Sequence, residues 1–155
     1  MPVLNIAMIG TDDLAREIAK ATDQRDVHTY VHKEPGQDSP RILSIIRPAK
    51  YPERLRPFLN ALSAARVGLL EISGIDATLG ESLVAFASAN ITNGIAVINA
   101  PQGEWVDEDQ VKMLFKQAGL EEWTFGSMDG IQLRNTLYQH MDDLSDVLSL
   151  NATAP

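Results

Sequence analysis

The chain predicts an α/β domain of three layers: a six-stranded, mostly parallel sheet with one antiparallel edge strand and helices on both faces. Three observations carry this. Short apolar, β-favouring runs alternate with stretches of helical period along residues 1–150. Two runs, Val67-Gly-Leu-Leu-Glu-Ile and Gly94-Ile-Ala-Val-Ile, are nearly continuous in apolar residues, as strands buried on both faces require. One gap, Lys33–Pro40, is too short for a helical crossover and rich in turn residues, so the strands it joins pair antiparallel.

Taken in order, Val3–Ile9 is a buried strand that passes through Gly10 into a helix over Asp12–Thr22. That helix buries Leu14 and Ile18 with Ala15 and Ala19, and Thr11, Asp12 and Asp13 cap its start. Val27–His32 is expected at the sheet edge, with His28, Tyr30 and His32 facing one way and Val27, Thr29 and Val31 the other. Ile42–Ile46 is its partner. A helix over Pro52–Ala65 lines up Leu55, Phe58, Leu59 and Leu62, and Pro57 either kinks it or marks its true start. Val67–Ile72 and Gly94–Ile98 are the central strands, separated by a largely apolar helix over Leu79–Ala89. Asp107–Ala118 has acids in its first turn, an apolar stripe of Val111, Leu114 and Phe115, and Gly119 as its stop. A weak strand at Glu122–Phe125 precedes a last helix over Gly130–Leu148, whose inner stripe draws on Ile131, Leu133, Leu137, Met141, Leu144, Val147 and Leu148. Residues 1–150 read as one domain without repeat or linker, and Asn151–Pro155 as a frayed tail.

Composition excludes several chemistries. With no Cys in 155 residues there is no disulfide, thiolate catalysis or Cys-based zinc site. The start lacks a basic, then apolar, leader and no run is long enough to span a membrane, so a cytoplasmic location is expected. A net charge of −8 argues against a surface that wraps DNA or RNA as a whole. The charge is uneven, however. Arg41, Arg47, Lys50, Arg54, Arg56 and Arg66 are opposed only by Glu53, while acids dominate from Glu104 onward. The plain reading is two solvated faces; the sharper one makes Arg47, Lys50, Arg54 and Arg56 a docking face for an acidic partner, an RNA or a second copy of the chain.

No catalytic set emerges. His28 and His32 on one strand lie about 13 Å apart, too far to share an ion, and no metal site is expected. His140 has no identifiable partner for acid–base work. Ser39, Ser73 and Ser127 lack a nucleophile elbow. Trp105 and Trp123 flank the helix at Asp107–Ala118 and read as packing residues.

The element order, with Ile6-Ala-Met-Ile-Gly-Thr, Tyr51-Pro52, Leu59-Asn-Ala-Leu-Ser-Ala-Ala-Arg-Val-Gly-Leu-Leu, Thr78-Leu-Gly-Glu-Ser and Gly94-Ile-Ala-Val-Ile-Asn, resembles the G domain of translational GTPases. It is most similar to the elongation factor Tu and SelB branch, a divergent archaeal SelB-like group in particular, over about residues 3–140. The resemblance implies a P-loop-GTPase-like fold and places a nucleotide site at Gly10, Thr11, Asp12, Asp13, Leu14, Ala15, Arg16 and Glu17, with Asn99, Gln102 and Ser127 around the base.

The scaffold matches better than the chemistry. Where the family has Gly-Lys-Ser/Thr, this chain has Ala15, Arg16 and Glu17, losing the close backbone approach, the compact ammonium and the magnesium hydroxyl. Asp12 and Asp13 satisfy a helix start themselves and repel a triphosphate. Arg47-Pro48-Ala49-Lys50 replaces the Asp-x-x-Gly motif, and Tyr51 stands where the family's water-orienting His would be. Asn99-Ala-Pro-Gln102 keeps the Asn of the guanine-reading motif and loses its carboxylate. The expectation is a Tu/SelB-like pseudo-GTPase that acts by binding protein or RNA of the translation apparatus, with no cofactor. The alternative is a factor that retains GTP and magnesium through a non-standard site using Arg16 and Asn99.

Overall fold

The computed structural model describes residues 2–24, 27–36, 38–48 and 65–153, without the side chains of 23–24 and 145–153. The expected helix over Pro52–Ala65 lies outside the described residues, apart from Ala65 itself, as do Lys50, Arg54 and Arg56. Seven strands form one sheet: β1 (Val3–Ile9), β2 (Lys20–Gln24), β3 (Val27–Lys33), β4 (Ile42–Pro48), β5 (Val67–Ile72), β6 (Gly94–Ile98) and β7 (Thr124–Gly126). Their spatial order is β2-β3-β4-β1-β5-β6-β7. β3 pairs antiparallel with both neighbours, and all other pairs are parallel, so β3 alone runs against the sheet.

Four helices are described: α1 (Asp12–Ile18), α2 (Ala77–Ser88), α3 (Glu108–Gln117) and α4 (Gly130–Thr153). Each begins on a side-chain oxygen that accepts a free backbone N–H, from Thr11, Asp76, Asp107 and Asp129 respectively. The period-2 alternation of β1 sends Ile6 and Met8 to one face of the sheet, where Leu14 and Ile18 of α1 and Leu133, Leu137 and Met141 of α4 cover them. Ala7 and Ile9 face the other way, under Leu83 and Phe86 of α2 and Val111 and Phe115 of α3. The mixed three-layer α/β architecture is as expected.

Several details are not. The sheet has seven strands rather than six, because residues read as the end of the first helix form β2. The helix stops at Ile18: Ala19 turns to extended backbone, and the Arg134 guanidinium donates to the carbonyls of Ile18 (2.8 Å) and Glu17 (3.4 Å). The open edge of β3 then takes Lys20 and Ala21 opposite Val31 and Tyr30. Unpaired strand groups outweighed a weak helical period, and β2 rather than Val27–His32 is the sheet edge. In α4 the inner stripe uses Tyr138, while Ile131 is 63% exposed; the helix also runs through residues 151–153, expected as tail. Trp105, expected to pack, is 83% exposed.

Trp123 does pack. Its indole N–H donates to the Ile91 carbonyl (3.2 Å) and its ring meets Phe86 edge to face, centroids 4.8 Å apart. The ring lies flat on Gly68 and Gly94: a Cβ at Gly94 would stand 2.6 Å from the Gly68 carbonyl oxygen and 2.7 Å from the indole. Gly94→Ala is therefore expected to destabilise the domain by about 1–3 kcal/mol, read from the urea midpoint, with a shift in Trp123 fluorescence.

Candidate functional site

The C-terminal edge of the parallel strands brings β1, β5 and β6 together, and the turn after β1 is short. Gly10 and Thr11 are its whole length before α1 begins at Asp12. On the side of β5 stands Glu71, the one charged residue in that strand. Its Oε1 accepts the Thr11 backbone N–H and hydroxyl, both at 2.8 Å, and its Oε2 accepts the Asn99 amide at 2.8 Å. One carboxylate thus ties the β1–α1 turn to the end of β6. The approach needs Gly10, where a Cβ would lie 2.9 Å from the Glu71 Cβ.

On the side of β4, Arg47 holds the same turn. Its guanidinium donates to the Gly10 carbonyl (3.1 Å), to the Tyr30 hydroxyl (3.1 Å) and to His28 Nδ1 (2.8 Å). Arginine can only donate, so that histidine nitrogen is unprotonated. The buried Tyr30 donates in turn to Asp12 (2.6 Å), which also accepts from Arg16 Nε (2.7 Å). These bonds, Tyr30 first and Arg16 second, hold the Asp12 carboxyl below the usual aspartate range, while burial raises the Tyr30 phenol.

Between the turn, β5 and the start of α2 is a cavity of 280 Å³. Its polar wall includes Thr11, Glu71, Asp76, Thr78 and Asn99 with Ser73 and Ser82, over a floor that includes Ile9, Leu70 and Leu79. Among the described residues that line it there is no Lys, Arg or His. The two carboxylates among these described residues repel phosphate. The volume is also at or below the lower end for small-molecule pockets, about 300 Å³.

The residues singled out from sequence part company here. Gly10, Thr11 and Asn99 meet at the cavity. Leu14 and Ala15 are core residues under the sheet. Asp13 and Glu17 are exposed on α1, and Arg16 points to a different groove beside β2. Gln102 is exposed in a turn, and Ser127 bonds Gln132 at the start of α4. Arg47 is tied into the interior network; of the same basic stretch, Arg41 is paired with Glu34 and Asp142. Glu71, the centre of the site, was overlooked, although a charge inside an apolar central strand was its visible signal.

No protein-family model matches the chain. An uncharacterised protein of Methanocaldococcus jannaschii is 25% identical over 138 residues, spanning 88% of this chain and 42% of that protein. In structure the chain is similar to translation elongation factor SelB of Methanococcus maripaludis, apo form, with a TM-score of 0.60 at 13% identity. The match covers 92% of this chain and 36% of the SelB chain, so this chain spans less than half the length of either relative. The fold is therefore a translation-factor-like α/β fold. At this identity the likeness is one of fold, and no helix among the described residues is long and apolar enough to cross a membrane.

Two outcomes test the site. Glu71→Ala removes the acceptor shared by Thr11 and Asn99 and is expected to cost about 1–2 kcal/mol in chemical denaturation, mild because water reaches these groups. The depressed Asp12 pKa contributes stability that is present near neutrality and lost as pH falls through the folded value, below about pH 4. Tyr30→Phe removes the larger cause. Its Asp12 carboxyl, followed by NMR, should titrate closer to the ordinary value, and its stability deficit should be smaller at about pH 2 than at pH 7.

Proposed function

We propose that this chain is a translation-factor-like domain that neither binds GTP tightly nor hydrolyses it, and that works by contact with protein or RNA of the translation apparatus. The observation that carries the reading is the Glu71 carboxylate. It takes the Thr11 N–H and the Asn99 amide, the two groups that the resemblance assigns to phosphate and base. The short turn supports it. A loop that wraps phosphates needs several free backbone N–H groups, and here the helix starts two residues after β1. α1 has seven residues, too few for a strong helix-end field, and opens with two aspartates. The two carboxylates on the cavity wall, Glu71 and Asp76, with no cation beside them among the described residues, support it further.

Calorimetric titration with GTP, GDP and ATP in the presence of magnesium tests this directly. The expected result is no heat of binding in the micromolar range for any of the three. Micromolar binding of one of them, abolished by Asn99→Ala, overturns the proposal.

A further inference from the structure

A second concavity lies along the β2 edge of the sheet. It is an open groove of 680 Å³ lined by Arg16 of α1, Lys20 of β2, Lys33 of β3 and Arg134 of α4, with His32 among them. The rest of its lining is Ala19, Ala21, Thr22 and Val31. Among the described residues no carboxylate lines it, in a chain whose net charge is −8. These four basic residues come from four separate elements that all border one groove, and the fold, not the sequence, gathers them.

We propose that this groove binds the phosphate backbone of a folded RNA. Lys20 stands opposite Val31 in the β2–β3 pair, so Lys20 and Lys33 project from the same face of the ribbon. Neither makes an ion pair with any described residue. Arg16 is 54% exposed, and Asp12 engages its Nε, which leaves the outer guanidinium nitrogens for a phosphate. Arg134 is held in place by its bonds to the end of α1, so its charge is preset at the groove wall.

The lining decides the class of ligand. Among the described residues no Phe, Tyr or Trp lines the groove, and the His32 ring is engaged with Tyr138, centroids 5.7 Å apart. The described lining offers no platform on which unpaired bases could stack, so the recognition proposed rests on backbone phosphates. A protein partner would need a desolvated anchor pocket, which Ala19, Ala21 and Val31 do not make. Phosphate binding needs only the charges. Away from the groove, the acidic surface repels the polyanion and confines it to this edge. The choice of RNA over other polyanions rests on the translation-factor-like reading; the groove itself does not.

Fluorescence anisotropy with a labelled RNA hairpin of about 16 base pairs, the span of a typical duplex-binding module, tests the proposal. The full chain should bind it with an affinity that falls as KCl is raised. Lys20→Ala with Lys33→Ala should bind at least about tenfold more weakly, with a salt slope smaller by about two. The control pair Lys112→Ala with Lys116→Ala, on α3, should leave both quantities near wild type. Absence of hairpin binding at low salt, equal loss in the α3 control, or binding of a poly-glutamate peptide in place of the hairpin overturns it. GTP calorimetry on the same preparation separates the two readings. Nucleotide binding alongside Lys20- and Lys33-dependent RNA binding overturns the proposed function alone; no nucleotide binding and no hairpin binding overturns this inference alone.

Discussion

The bond on which the rest of the site depends is the Glu71 carboxylate spanning from Thr11 to Asn99. A strand-to-helix turn at the C-terminal edge of a parallel sheet leaves free N–H groups that need an acceptor. In many α/β folds a ligand phosphate supplies it. Here a side chain from the neighbouring strand does so, and the consequences spread outward. Gly10 must lack a side chain so that Glu71 can approach, the turn shrinks to two residues, and the cavity beyond carries acid instead of cation. Arg47 closes the turn from the other side through the Gly10 carbonyl, so both polar groups of the junction are satisfied within the protein.

The extra strand β2 is the second decision of the fold. By ending α1 at Ile18 it frees Lys20 and Ala21 to extend the sheet beyond β3, and it brings Lys20 to the groove that Arg16, Lys33 and Arg134 also line. A lysine on an edge strand, here Lys20, also discourages pairing with another chain. Arg16 and Arg134 are not on that edge, so protection alone does not account for their presence beside it. Arg134 joins the two roles, closing the end of α1 and facing the groove.

Charge is distributed accordingly. Of the basic stretch from Arg41 to Arg66, Arg41 is paired with Glu34 and Asp142 and Arg47 donates to the Gly10 carbonyl, while Lys50, Arg54 and Arg56 lie outside the described residues. The groove beside β2 draws its cations from residues 16 to 134. Closeness along the chain and closeness in space are different quantities, and only the second sets an electrostatic field.

By itself the sequence determined the mixed α/β class, the antiparallel hairpin at Lys33–Pro40, the central strands and the burial of Leu14, Ile18, Val111 and Phe115. These follow from local period and turn chemistry, which one stretch of chain carries alone. Only the tertiary structure decided that residues 20–24 form a strand, because the open edge of β3 and the Arg134 guanidinium are remote in sequence from them. It also decided that Trp123 packs and Trp105 does not: the two glycines under Trp123 come from different strands. Glu71 was visible as a lone charge in an apolar run, but its role depends on partners 60 residues before it and 28 after it. The groove was legible nowhere in the sequence, since the four basic residues that line it belong to four elements that meet only when the sheet, α1 and α4 are assembled.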